Sequence, residues 1–354
     1  DRLDTAGFRR GEEEVLVAAY TSTGRGECIA YSNDRGRTFT EYEGNPVVVH
    51  RGRDPKVIWY EPRRHWVMAV YDEQERSQGI AFYISPDLKS WVRTGRIHGW
   101  YECPELFELP LDGDPEDTRW IVYAADGHYA VGRFDGETFH SESGKHPGNH
   151  GNALYAAQTF NDVPASDGRR VQIGWGRIAT PGMAFNQMML FPTELTLRST
   201  PEGPRLHAQP VRELETLHDR RQAWAARSVS EAVPLTAGFS SEMLHVRAEV
   251  ELSKTPGDLQ VTLELRGVPI TCDLARGEVR LEGCTAPLPI EDGRLRLEAL
   301  VDRTSIELFA GDGRVYMPVG VLLDPAQRTV VLTTSGAPVQ LRSLEVFELR
   351  SAWR

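Results

Sequence analysis

The residues that decide the fold are Trp66-Val67-Met68-Ala69-Val70, then the apolar run at residues 80–85, then Asp87-Leu88-Lys89-Ser90-Trp91. The first two pieces are short and apolar, of strand length, and they are separated by a polar turn. The third is a polar turn that ends in an aromatic. The same order returns in Trp120-Ile121-Val122-Tyr123-Ala124, residues 129–134 and Asp135-Gly136-Glu137-Thr138-Phe139. A strand, a tight turn, a second strand and a polar turn closed by an aromatic ring form the rhythm of a propeller blade.

Outward from this pair the texture holds. Residues 15–20, 56–59 and 171–175 are further strand-like runs, and Asn33-Asp34-Arg35-Gly36, Asp112-Gly113 and His146-Pro147-Gly148 punctuate them. Long helical periodicity is missing. Near residues 204–226 the pattern changes, with Pro210 placed to open a short helix carrying Val211, Leu214 and Leu217 on one side. Beyond it, residues 244–252, 260–265, 295–301, 305–309 and 329–334 alternate apolar and polar more cleanly, as in a β-sandwich. The chain reads as all-β, with a propeller over residues 1–217 and a sandwich over 218–354.

Composition narrows the function. With 40% apolar and 26% charged residues the chain can build a sizeable core. A formal charge of −11 argues against a nucleic-acid partner, which needs a basic stripe, and suits a neutral substrate such as a sugar. No run is long enough to span a bilayer, so no membrane partner is expected. Asp1-Arg2-Leu3-Asp4 is polar and carries no signal-peptide pattern. An extracellular or periplasmic location is compatible with the chain, whose first residues do not look like a true beginning. Cys28, Cys103, Cys272 and Cys284 lack metal-ligand spacing. Cys272 and Cys284 could pair in an oxidising compartment or remain buried thiols. His146 and His150 have an i, i+4 spacing, but Pro147-Gly148 between them forbids the helix a metal pair needs. No phosphate loop, Ser–His–Asp arrangement or cofactor fingerprint occurs, so neither metal nor cofactor is expected.

Hydrolysis of a glycosidic bond needs two carboxyl groups. Two turns present carboxylates at the mouth of a strand. One is Arg53-Asp54-Pro55, the other Trp100-Tyr101-Glu102-Cys103-Pro104. In both, proline restricts the preceding residue to extended geometry and removes a ladder donor. An Asp before Pro is also a common turn former, and local pattern does not choose among Glu102, Glu105 and Glu108.

The chain resembles glycoside hydrolase family 32, which includes invertases, levanases and inulinases. The resemblance rests on Ala30-Tyr31-Ser32-Asn33-Asp34-Arg35-Gly36-Arg37-Thr38-Phe39, Arg53-Asp54-Pro55-Lys56-Val57 and Glu102-Cys103-Pro104-Glu105-Leu106-Phe107, in that order. It continues through Tyr155-Ala156-Ala157-Gln158-Thr159-Phe160, Ile173-Gly174-Trp175-Gly176, Phe185-Asn186-Gln187-Met188-Met189 and Asp302-Arg303-Thr304-Ser305-Ile306-Glu307-Leu308-Phe309. It implies a five-bladed propeller followed by a sandwich, and a retaining hydrolase that releases fructose from levan, inulin or sucrose. Glu102 then matches the acid/base, and Asp54 the carboxylate that stabilises the transition state, with Arg53 beside it. Trp100, two residues before Glu102 in the same turn, is the best candidate for a sugar contact; Gln158 either faces the site or is a buried structural amide, and Cys103 is a packing residue.

One departure stands out. The family's nucleophile is an Asp in a Trp-x-Asn-Asp-Pro-Asn-Gly motif, which does not occur here. The resemblance therefore implies an N-terminally incomplete propeller, a fragment lacking its first blade or so. By itself such a chain is expected to be inactive, or nearly so, on sucrose, inulin and levan. Two rivals stand beside this reading. Ser32-x-Asp34-x-Gly36-x-Thr38-Phe39 fits the structural turn of sialidase-type propellers. A non-catalytic carbohydrate-binding propeller could instead use Trp59, Trp100 or Trp175 as stacking faces.

Overall fold

The computed structural model describes residues 1–74, 77–252 and 258–353. The fold is all-β, and among the described residues no helix is long and apolar enough to cross a membrane. Two compact units emerge: Asp1–His146 with Ala156–Asp162, and Pro147–Tyr155 with Val163–Arg354.

The first unit is a succession of antiparallel meanders. Strands β1 (Leu16–Ser22), β2 (Gly26–Ser32) and β3 (Thr40–Glu41) form the first. The second is β4 (Gly52–Tyr60), β5 (His65–Asp72), β6 (Gly79–Ser85) and β7 (Val92–His98). The third is β8 (Glu105–Leu111), β9 (Asp114–Tyr123), β10 (His128–Phe134) and β11 (Phe139–Ser141). The two tryptophan-led stretches of the sequence are therefore β5–β6 and β9–β10, each followed by its polar turn.

Those turns explain the repeat. Asp34 Oδ1 accepts the Thr38 amide at 2.9 Å, and its Oδ2 accepts the Thr38 hydroxyl at 2.7 Å. These bonds, with one from Ser32, hold the Asp34 carboxyl down at about 2. Asp87 takes the amides of Lys89 and Ser90 at 2.9 and 2.7 Å, and Asp135 those of Glu137 and Thr138 at 2.9 and 2.8 Å. Each aspartate satisfies amides that the turn removes from the ladder. The Asp34 box is thus a structural turn and carries no argument for a sialidase. Between the meanders lies an apolar core that includes Val67, Ile80, Phe82, Leu106, Val122 and Phe134.

The second unit contains a further meander and a sandwich. After β12 (His146–Pro147) and β13 (Leu154–Thr159), strands β14 (Arg170–Gly176), β15 (Met188–Met189), β16 (Thr193–Arg198) and β17 (Arg205–Pro210) follow, with β16 pairing both β14 and β17. Pro210 closes β17 rather than opening a helix. The helical turn is a 3-10 segment, Arg212–Leu217, with Leu214 buried. Among the described residues, the strands that precede the sandwich thus form four successive meanders.

The sandwich strands are β18 (His218–Trp224), β19 (Arg227–Val229), β20 (Leu235–Gly238), β21 (Leu244–Glu251), β22 (Gln260–Leu265), β23 (Val268–Asp273), β24 (Glu278–Leu281) and β25 (Cys284–Pro287). They continue with β26 (Arg294–Val301), β27 (Ser305–Ala310), β28 (Val315–Gly320), β29 (Thr329–Ser335) and β30 (Val339–Leu349). One sheet runs β18-β30-β21-β26-β27-β28, the other β20-β29-β22-β23-β24-β25. The alternation read from the sequence places Val261, Leu263 and Leu265 of β22 inward with Val246, Ala248 and Val250 of β21. Each of the valine and leucine side chains stabilises the fold by about 1.5–3 kcal/mol on burial. Cys272 and Cys284 are free thiols, so the disulfide considered above does not form.

Candidate active site

The RDP turn owes its geometry to a bulge. From Arg53 opposite Tyr71 to Lys56 opposite Ala69, β4 carries one residue more than β5. Asp54 occupies the bulge at φ 67°, left-handed rather than in the extended geometry expected before Pro55, a conformation that Asp tolerates better than most residues. Its amide, withdrawn from the ladder, donates to Thr21 Oγ1 at 2.8 Å.

The second turn is strained in the same way. Glu102 and Cys103 have φ of 28° and 42°. Backbone this unusual costs about 1–3 kcal/mol per residue and persists only where the surroundings over-determine it. Here the Ala125 amide bridges the carbonyls of Tyr101 and Glu102 at 3.3 and 2.9 Å.

These two turns, far apart in sequence, meet side chain to side chain. Arg53 Nε donates to Glu102 Oε1 at 3.2 Å, and Arg53 Nη2 pairs with the same oxygen. Arg53 Nη1 reaches Glu73 Oε1 at 3.0 Å, and the guanidinium lies 4.7 Å over the Tyr71 ring. The bond to Glu102 raises the Arg53 pKa further, so this cation is permanent. Asp54 Oδ2 accepts the Cys103 amide at 3.1 Å and the Cys103 thiol at 3.5 Å. Burial and the adjacent Asp54 push that thiol up to about 12. Cys103 is thus a neutral donor that holds Asp54, not a nucleophile.

The geometry separates the three glutamates that local pattern left equivalent. Glu105 is fully buried and its Oε2 pairs with Lys56 Nζ at 2.9 Å while accepting the Thr159 amide and hydroxyl at 2.9 and 2.6 Å. Glu108 is exposed on β8 and accepts the Thr118 hydroxyl at 2.5 Å. Glu102 alone joins the Arg53–Asp54 cluster, with 16% of its side chain exposed. Such a group is reachable by a ligand yet largely withdrawn from water.

The remaining expected residues fall differently. Trp100 is only 5% exposed, packs in the core with Val67, Phe82 and Leu106, and carries Lys145 Nζ 4.3 Å over its ring. An indole enclosed in this way supports the turn from beneath. Gln158 is exposed, between the buried Ala157 and Thr159. Trp59 meets Trp66 edge-on at 5.2 Å, and Trp175 is 39% exposed beside Tyr155. Sequence reasoning missed Glu73 and Thr21. Neither lies in a distinctive motif, and each is recognisable only by what it touches.

Comparison with known proteins shows the family. A family model described as the N-terminal domain of glycosyl hydrolases family 32 matches residues 7–210, and one for the C terminal of the same family matches residues 273–348. A levanase of Bacillus subtilis (strain 168) is 32% identical across 100% of this chain. A levanase of Bacillus sp. (strain L7) is 29% identical across 96% of it. The chain spans 59% and 43% of those two proteins. An exo-inulinase from Aspergillus awamori shares the fold at a TM-score of 0.87 and 22% identity, covering 100% of this chain and 83% of that one.

These matches overturn one expectation. The absent Asn-Asp-Pro-Asn motif implied a fragment cut from the family's catalytic unit. Instead, both family domains are matched within the chain, and the Bacillus subtilis alignment takes in all of it. By its matched domains and its fold, the chain belongs to glycosyl hydrolases family 32.

Proposed function

We propose that this protein hydrolyses β-fructofuranosides, with levan, inulin or sucrose as the substrate class, and releases fructose. The carrying observation is the convergence of Glu102, Arg53 and Asp54 from two strained turns at strand mouths. Glu102 is the acid/base. It gives its proton to the glycosidic oxygen as the bond to the leaving group breaks, then takes one from the incoming water. Asp54 accepts hydrogen bonds from sugar hydroxyls and its charge favours the oxocarbenium-like transition state. Cys103 occupies its Oδ2, and Oδ1 makes no hydrogen bond among the described residues, so it is the oxygen assigned to the sugar. Arg53 holds Glu102 in place, and Gln158 binds substrate from its exposed position. The motif that carries the family's nucleophile has no match in residues 1–354, and no residue of this chain is assigned that role.

The meanders are read as propeller blades, with the propeller ending near Leu217 and the sandwich following over residues 218–354. The family's N-terminal match ends at residue 210, and β18, which starts at His218, already pairs with the sandwich strand β30. An Aspergillus ficuum relative, 26% identical over the whole chain, is named an extracellular exo-inulinase, and the same location is proposed here.

The test is fructose release from levan, inulin and sucrose by the protein and by Glu102→Gln. A loss of about 10²–10⁴-fold in kcat is expected for an acid/base variant. Turnover unchanged in the variant overturns the assignment. No turnover in either form, with retained binding of fructan, points to a carbohydrate-binding module instead.

A further inference from the structure

The polar network behind Asp54 extends further than the site itself. Asp54 is the strained residue of the bulge, and its carboxylate is held only if its backbone is held. The amide of Asp54 can only donate, so Thr21 Oγ1 must accept it. The hydroxyl hydrogen of Thr21 must then go elsewhere, and it goes to Glu27 Oε2 at 2.9 Å. Glu27 is fully buried in β2, and its other oxygen, Oε1, takes His50 Nε2 at 2.8 Å. Both side chains of that pair are sealed from solvent.

His50 is locked in turn. A Cβ at Gly52 would stand 2.0 Å from the Tyr71 carbonyl oxygen and 2.5 Å from His50 Cε1, so glycine is the residue that lets β4 begin against the imidazole. The Tyr83 ring meets His50 edge-on at 6.2 Å. The backbone of Glu27 is also fixed, its amide donating to Val48 O at 2.9 Å and its carbonyl accepting the Val47 amide at 2.8 Å. An ionisable pair in a fully buried position is costly unless hydrogen bonds use its oxygens. Here both Glu27 oxygens are used, and one of them aims a hydroxyl at the bulge.

Building on the proposed function, we propose that Thr21, Glu27 and His50 are positioning residues for Asp54. The buried Glu27–His50 pair fixes the direction of the Thr21 hydroxyl, and Thr21 fixes the Asp54 backbone in its left-handed conformation. The carboxylate is thereby held on the Cys103 donors. None of the three touches the sugar. Their effect falls on the transition state, where Asp54 acts, more than on substrate binding, because loosening Asp54 degrades the alignment that the reaction needs.

Two arms test this. In the first, amide hydrogen exchange is followed at Asp54 in the full-length protein. Thr21→Val, isosteric but without the hydroxyl, should speed exchange at that amide at least 10-fold, and Thr21→Ser should restore protection. In the second, kcat and KM for fructan hydrolysis are measured. Thr21→Val should lower kcat about 10–100-fold with KM within about 3-fold, and Thr21→Ser should recover most of it. Glu27→Gln, which keeps an acceptor for Thr21 and an amide for His50, should stay within a few-fold of wild type. Glu27→Leu should resemble Thr21→Val. If Glu27→Leu does not fold, the Thr21 pair decides alone.

Wild-type exchange and wild-type kcat in Thr21→Val, with Asp54→Asn inactive, would overturn the positioning role and leave the reading of the active site standing. Full activity in Asp54→Asn would overturn that reading itself and the kinetic part of the proposal with it. The exchange arm would then still decide whether Thr21 holds the bulge.

Discussion

Replacing Glu307 by glutamine should flatten the dependence of stability on pH. Glu307 of β27 is fully buried; its Oε2 accepts the Tyr316 hydroxyl at 2.5 Å and its Oε1 the Phe191 amide at 2.9 Å. Burial raises its pKa from 4.5 to about 7, against the opposing pull of those two bonds. The sign follows from linkage. A carboxyl whose folded pKa lies above its unfolded one binds its proton more tightly when folded. Its contribution is complete below about 4.5 and is lost as pH rises through about 7. At 1.36 kcal/mol per pH unit, the interval between those two values amounts to about 3 kcal/mol.

Glutamine occupies the same volume. Its oxygen can accept the Phe191 amide while its NH2 donates to Tyr316, which turns to accept. Urea unfolding of both proteins at intervals from pH 4.5 to 8 gives the comparison. The stability of wild type relative to Glu307→Gln should fall by about 3 kcal/mol across that range, most steeply between about pH 5 and 6.5 and hardly at all above about pH 7.5. A difference that stays constant within about 0.5 kcal/mol would refute the reasoning, since it would mean the buried carboxyl titrates alike in both states.

Two further outcomes can be checked. Arg266, 2% exposed, donates to the carbonyls of Glu242, Asp324 and Gln327 at 2.9, 3.0 and 3.1 Å. Arg266→Ala strands all three acceptors and should cost about 3 kcal/mol at roughly 1 kcal/mol each, measured by urea unfolding; a cost under 1 kcal/mol would mean that water or relaxation satisfies them. The second outcome concerns the thiols. Burial raises the pKa of all four, Cys103 and Cys272 up to about 12, so the native protein should react with a thiol reagent at pH 8 far more slowly than the unfolded chain. Rapid native labelling at Cys103 would show that its contact with Asp54 is not as described.

Much of the fold was legible because strand formation is a local matter. The two-residue period of residues 260–265 places Val261, Leu263 and Leu265 inward whatever their partners, and β22 does so. The Asp34, Asp87 and Asp135 turns were legible for the same reason, each capping amides within a few residues. The short helix lies where it was read, but Pro210 ends β17 instead of opening it, because proline suits the end of a ladder, where no further donor is needed, as well as a helix start. The burial of Trp100 was not legible, because a tryptophan in a turn reads the same from either side. Its burial depends on Phe82, Leu106 and other residues that no local window contains.

The sequence by itself determined the all-β class, the punctuation of its meanders and, through motifs in a fixed order, the family. It also brought Asp54 and Glu102 forward as candidates. Local pattern left Glu102, Glu105 and Glu108 equivalent and the family motif singled out the first; the tertiary structure adds that Glu105 is seated against Lys56 and Glu108 lies on an open strand. It alone brought Arg53 between Glu73 and Glu102 and ran a chain of hydrogen bonds from Asp54 to the buried His50. The physical reason is range. Alternation, turn chemistry and proline restriction act over a few residues, whereas these contacts depend on one extra residue in β4 and on the register in which distant strands pair.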